Sequence, residues 1–163
     1  MLDAPMIDPY ELRDAFGSLP TGVTVVSMLD EAGKPTGVTV GSVTSLSMSP
    51  ALCLFSLGKQ QASARLFKEG APFVVNVLST DLTDLAWQFA KPLEDKCEGV
   101  ELTESLVQAP RLKDAIAHFA CHAHAIYDGG DHIIVVGEIL DFDHKEGDAL
   151  IFYRGQMQTS APL

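Results

Sequence analysis

Short runs of β-branched and apolar residues, each closed by a turn signal, limit most strongly what this chain can fold into. Thr21 to Met28 reads TGVTVVSM, Val38 to Met48 reads VTVGSVTSLSM, and Ala51 to Leu57 reads ALCLFSL. Similar runs follow at Phe73 to Leu78, Phe119 to Tyr127, His132 to Phe142 and Leu150 to Tyr153. β-Branched side chains suit a pleated, half-buried surface, so these segments read as strands. The loop LDEAGKPTG makes a hairpin of the first two, and Ser49-Pro50, Gly129-Gly130 and Gly147-Asp148 mark further turns. Helical signals are few and inserted. One helix is predicted over about residues 9–18, with Asp8 as cap, Pro9 at the first position, Glu11 completing a capping box and Leu12, Phe16 and Leu19 as an apolar stripe. A second is predicted from about Ala62 to Glu69, stopped at Gly70 and Pro72, and a third from a Thr80 or Asp81 cap to Ala90. Lys91 to Pro110 is charged and aperiodic and reads as a surface excursion. Six or more strands with inserted, non-alternating helices predict a mainly β fold, an antiparallel barrel closed over about residues 21–154. The whole of residues 1–163 is read as one domain.

Hydrophobic residues make up 47% of the chain and charged ones only 20%, which excludes disorder. No uncharged apolar run reaches the roughly 18 residues that a membrane span needs, so the surplus is expected at a subunit interface. The net charge of −11 repels nucleic acid and anionic membranes. Cys53, Cys97 and Cys121 make no disulfide framework and the start, MLDAPMIDPYEL, lacks signal-peptide features, which together predict a cytoplasmic protein. The charge is unevenly spread. Between Ala32 and Thr80 the only acid is Glu69, against Lys34, Lys59, Arg65 and Lys68, so this window carries +3 and the remainder −14. A phosphate-bearing ligand is expected at this window, although acid-poor strand composition gives the same count.

Two segments hold candidate chemistry. TVGSVTSLS, Thr39 to Ser47, places hydroxyls on an apolar strand and a glycine in its middle, where a ligand or second backbone can approach. Thr39, Gly41, Val43, Ser45 and Ser47 are expected to share one face, and Val38, Val40, Ser42, Thr44 and Leu46 the other. SLGKQQAS, Ser56 to Ser63, then offers helix-start N–H groups and Lys59 to a phosphate; equally, the hydroxyls are surface strand residues and Ser63 a helix cap. In CHAHAIYDGGDH, Cys121 to His132, the paired His122 and His124 have a spacing that metal sites use, or form a half-exposed strand face, and no metal site is assigned. His132 follows a Gly-Gly-Asp turn and is aimed into a barrel mouth or bonded to the turn; Asp128 and Asp131 are read as turn residues. Neither G-x-S-x-G, G-x-G-x-x-G nor a P-loop is present, so hydrolysis and Rossmann or P-loop nucleotide binding are unsupported.

LRDAFGSLPTGVTVV, TVGSVTSLSMSP, FVVNVLS, QFA and YDGGDHIIVVGE, in this order from Tyr10 to Arg154, resemble the short-chain flavin reductases, the reductase components of two-component flavin-dependent monooxygenases. The resemblance implies an FMN-binding split β-barrel of Greek-key type, a homodimer, and hydride transfer from NADH or NADPH to FMN or FAD, with reduced flavin leaving for a partner monooxygenase. It places Thr39, Val40, Gly41, Ser42 and Ser45 along the isoalloxazine and ribityl chain, Ser56, Leu57, Lys59 and Ser63 at the ribityl and phosphate end, and Phe89 and His132 on the nicotinamide side, His132 as the catalytic candidate. The chain departs from the family at Gly41 and Val43, where Asn and Phe are common, and at Arg154-Gly155-Gln156-Met157, where an aromatic is usual after the glycine. No basic cluster is set aside for a 2′-phosphate, which favours NADH. The alternatives are a flavin carrier or store on the same barrel, or a flavin-dependent reductase of another acceptor.

Overall fold

The structure is a computed structural model that describes residues 6–162. Residues 1–5, which hold part of the chain start discussed above, and residue 163 lie outside the described residues. The first helix, α1 (Pro9–Phe16), begins where expected: Asp8 accepts a hydrogen bond from the Tyr10 N–H at 2.8 Å. The reciprocal capping-box bond from Glu11 is not among those the described residues make, and the helix ends two residues early, at Gly17. Its apolar stripe enters no core of its own chain, because Leu12, Phe16 and Leu19 stay 43%, 65% and 62% exposed.

Among the described residues twelve strands follow: β1 (Thr21–Gly22), β2 (Thr24–Leu29), β3 (Pro35–Val40), β4 (Thr44–Met48), β5 (Ala51–Gly58), β6 (Pro72–Val77), β7 (Leu102–Thr103), β8 (Arg111–Leu112), β9 (Ala117–Gly129), β10 (His132–His144), β11 (Leu150–Tyr153) and β12 (Gln156–Thr159). Seven form one antiparallel sheet in the order β3-β2-β6-β9-β10-β5-β4; β1-β11-β12 form a second sheet and β7-β8 a third. The mainly β reading holds, but the expected closed barrel does not. β3 and β4 are free edges of the large sheet, with no ladder joining them.

Two predicted strands are each cut in two. Thr21 to Met28 divides at Val23, where β1 pairs with β11 while β2 joins the large sheet. At this corner Val23 N–H donates to Leu150 and its carbonyl accepts from Leu78, so one residue ties both sheets. Val38 to Met48 divides at residues 41–43, whose flanking strands lie at opposite edges of the sheet, so side-chain parity does not carry from Thr39 to Ser47. A segment from Val40 to Thr44 spans at most about 14 Å, and the two edges must therefore curl close together here. The split barrel is an open sheet with converging edges.

Local chemistry explains the remaining differences. Ala62–Leu66 is a single 3-10 turn, since five residues ahead of Gly70 (φ 82°) are too few for a stable α-helix, and Ser63 lies inside it instead of capping it. Helix α2 (Thr83–Ala90) follows a 3-10 turn at Thr80–Leu82, with Thr83 Oγ1 donating to Thr80 O. The expected surface excursion buries Val107 and Ala109, held by Ser105 Oγ, which bonds the carbonyls of both. β12 lies beyond the expected end of the barrel: Arg154 (φ 48°) and Gly155 (φ 76°) make the two-residue turn that pairs it with β11.

Inside the curled sheet, Phe55, Phe67 and Phe73 meet edge-on, each pair with centroids 5.5 Å apart. A second apolar cluster joins Val25, Leu78, Phe89, Leu112 and Leu150. Gly137 on β10 gives the three-ring cluster its room, for a Cβ there would stand 2.5 Å from Phe73 Cζ and 3.3 Å from Cys53 Sγ. Gly137→Ala is expected to destabilise the protein by about 1–3 kcal/mol through overpacking; a thermal melt coinciding with that of the wild type would contradict this packing.

Candidate functional site

The convergence of the sheet edges makes a cleft. Residues 39–42 leave the end of β3, Ser56–Gly58 end β5, and His132 opens β10 beside Gly58, with which it is in register. Together with Thr21 of β1 and Gln61, these segments line a cavity of about 310 Å³, within the range of small-ligand sites. Ser42 spans the gap where no ladder exists: its Oγ accepts from Ser56 N–H at 2.9 Å and from Ser56 Oγ at 3.2 Å. Larger cavities exist, one of about 780 Å³ between Lys34 and Leu102. Its walls carry Asp30, Glu94, Asp95 and Glu98 against one lysine, a field that repels a phosphate-bearing ligand.

Of the residues expected in the site, Thr39, Val40, Gly41, Ser42, Ser56, Leu57 and His132 line the cleft. Not all present side chains to it. Thr39 Oγ1 donates to Ala86 O of α2 at 2.6 Å, and the side chains of Val40 and Leu57 point into the core at 4% and 2% exposure; the last two therefore offer backbone. Ser45 lies past the crossing, on β4 opposite Cys53. Lys59 and Ser63 lie outside the cavity lining, and Phe89 is placed elsewhere altogether: it is fully buried, its ring 3.0 Å from where a Cβ of Gly37 would stand, so it cannot face a nicotinamide in the cleft. Thr21, Gly58 and Gln61 line the cleft without having been singled out in the sequence. Nothing local marks Thr21 as a site residue, because the sheet change at Val23 brings it there.

His132 is oriented by its neighbour. Nδ1 lies 2.6 Å from Asp131 Oδ1, and since a carboxylate accepts, Nδ1 carries the proton and Nε2 is left to face the cleft. Gly58 packs beside it: a Cβ at 58 would stand 3.8 Å from Nε2, at van der Waals contact. The hydrogen bond from His132, then its charge, hold the Asp131 carboxyl below its ordinary range. Lys59 fastens the same turn twice, through its N–H to Asp131 O at 2.9 Å and through an ammonium–carboxylate pair with Asp128. Asp128 and Asp131 thus do more than shape the turn. His122 and His124 share the exposed face of β9, and among the described residues no group of three or more His, Cys, Asp or Glu could hold a metal ion.

The +3 window is largely neutralised in space. Lys59 pairs with Asp128, and Arg65 lies 3.5 Å from Glu31, each acid coming from outside the window. Hydrogen bonding to Lys59 holds the Asp128 carboxyl below the ordinary carboxylate range. A depressed carboxyl stabilises the fold fully above the unfolded-state pKa, and loses that contribution as pH falls through the folded value. The expected result is an Asp128 titration midpoint below that of an unpaired aspartate, rising toward it in Lys59→Gln, read by carboxyl-carbon NMR; identical midpoints in the two chains would show the pair is not formed in solution.

The flavin reductase-like domain model matches residues 16–161. The chain is 38% identical over 154 residues to a probable flavin reductase of Rhizobium meliloti (strain 1021), covering 94% of this chain and 50% of that protein. It is 36% identical over 151 residues to the reductase component of a flavin-dependent trigonelline monooxygenase of Acinetobacter baylyi, covering 93% and 49%. This chain thus spans about half the length of these two curated relatives. Among solved structures, the NADH:FAD oxidoreductase SgcE6 of Streptomyces globisporus C-1027, in complex with NAD and FAD fragments, superposes with a TM-score of 0.87 at 34% identity, over 98% of each chain. With the family model matching nearly the whole chain, and the fold and the order of its motifs in agreement, the protein belongs to the flavin reductase-like domain family.

Proposed function

We propose that this protein is an NAD(P)H:flavin oxidoreductase that passes hydride from NADH or NADPH to FMN or FAD and supplies reduced flavin to a partner flavin-dependent monooxygenase. The observation that carries this reading is the cleft itself, in which serine and threonine hydroxyls, two glycines and an oriented imidazole meet at the gap of a split sheet. Those groups fit a flavin. Hydroxyls match its ribityl and ring-edge polar atoms, while Gly58 leaves backbone open to a flat ring. Two relatives named above, a monooxygenase reductase component and an NADH:FAD oxidoreductase, support the partner and the reaction.

Bound flavin supplies the hydride-accepting centre, and the protein contributes position and polarity. Ser42 and Ser56 hold the two sides of the cleft together, which fixes the separation available to stacked rings. His132, held by Asp131, presents Nε2 to a polar group of the nicotinamide or of the reduced ring. Val40, Gly41, Ser42 and Ser45 are proposed along the ring and ribityl chain with Thr39, whose hydroxyl is committed to α2. Ser56, Leu57, Lys59 and Ser63 are proposed toward the phosphate, for which Lys59 would exchange its partner Asp128. The exposed stripe of Leu12, Phe16 and Leu19 supports a homodimer, since an eight-residue helix with no buried side chain has little stability by itself. A cytoplasmic location suits cysteines that are all free thiols.

Consumption of the nicotinamide donor, followed with each pairing of NADH or NADPH with FMN or FAD, is expected to depend on added flavin and to be faster with NADH. Absence of flavin-dependent consumption in all four pairings would overturn the reading in favour of a flavin carrier or store. His132→Ala is expected to lower kcat or raise the KM for NADH about 10-fold, as losing a hydrogen bond to a charged or polarised group does; unchanged constants would remove His132 from the mechanism.

A further inference from the structure

Gly41 is a glycine for a reason its own backbone does not supply. Its φ lies outside the left-handed region, so any residue could adopt its conformation. A Cβ built there would stand 2.9 Å from Thr21 Oγ1 and 3.7 Å from Thr21 Cβ, with the next neighbour, Gly22 O, at 3.9 Å. A side chain at position 41 would meet the Thr21 hydroxyl first. Thr21 sits in β1, paired with Phe152 of β11, so it reaches the cleft from the small sheet while the other lining segments belong to or continue the large one. Four hydroxyls line the cleft. Thr39 donates to Ala86 O, and Ser42 and Ser56 bond each other. The Thr21 hydroxyl makes no hydrogen bond among the described residues, although the residue is half-buried. The hydroxyl is therefore free to donate to or accept from a ligand group seated in the cleft.

We propose that Thr21 is a ligand-binding and specificity-determining residue whose hydroxyl, in the space left by Gly41, hydrogen-bonds an amide-type edge of the ring seated in the cleft. This rests on the flavin reductase reading, under which two groups carry such an edge: the imide side of the flavin ring and the carboxamide of the nicotinamide. A hydroxyl can donate to a C=O or accept from an N–H, and so meets either. Residue 41 then controls specificity from behind, because any side chain there pushes the hydroxyl out of place.

The test measures the FMN dissociation constant by flavin fluorescence, the KM for NADH and the melting temperature in wild type, Thr21→Val, Thr21→Ser, Thr21→Ala, Gly41→Ala and the Thr21→Ala/Gly41→Ala pair. Thr21→Val is expected to weaken one constant about 5- to 10-fold, the contribution of one hydrogen bond, without lowering the melting temperature. A change in the FMN constant assigns the flavin edge and a change in the NADH constant the carboxamide. Thr21→Ser, which keeps the hydroxyl, should recover wild-type affinity to within about 2-fold, within what loss of one methyl contact allows. Gly41→Ala should weaken binding with Thr21 in place and have little further effect once Thr21 is Ala, so the two costs should not add. Unchanged constants in Thr21→Val, or strictly additive costs in the pair, would overturn the proposal while leaving the reductase reading standing. A wild-type chain that neither binds nor reduces flavin would overturn both.

Discussion

The short crossing from β3 to β4 is the constraint on which the rest of the structure depends. These strands are opposite edges of a seven-stranded sheet, yet only residues 41–43 separate them in the chain. A chain that short cannot bridge a flat sheet of that width, whose neighbouring strands lie about 4.8 Å apart. The sheet must curl around its phenylalanine cluster until the edges converge. Where they meet no ladder forms, and the Ser42–Ser56 bonds span the opening instead. The cleft follows from the fold: a gap with unpaired backbone, small side chains and hydroxyls on both walls.

Electrostatics refine the picture. In sequence, the +3 window looked like a phosphate-attracting surface, but in space two of its four cations are already paired with acids from elsewhere. What remains is a polar, nearly neutral cleft in a chain of net charge −11. Exposed pairs such as Lys59–Asp128 contribute little stability, so a phosphate can replace the carboxylate at small cost. Loose retention of the cofactor fits the proposed function, in which reduced flavin is released.

Much of the fold was legible because hydrophobic patterning and turn residues act locally. The β9–β10 hairpin around Gly129-Gly130, the Asp8 cap and the mainly β class were readable for that reason. The sheet changes were not. Thr21 to Met28 and Val38 to Met48 have continuous strand composition, and what divides them is pairing with β11 and β5, partners distant in sequence. The same holds for the site. Gly41, Ser42, Ser56 and His132 stood out by motif, and Gly41 was readable as a point of close approach, whereas its partner Thr21 belongs to another sheet and carries no local mark. Phe89 shows the opposite error: family likeness placed it at the nicotinamide, but its side chain is core.

The central claim is that flavin sits where the sheet edges converge. Hydrogen exchange by mass spectrometry, with and without saturating FMN, tests it most directly. The account predicts FMN-dependent protection in peptides covering residues 21–22, 39–42, 56–61 and 128–132, and no change around the acidic cavity at residues 93–98. Protection at residues 93–98 with the cleft peptides unaltered would contradict it.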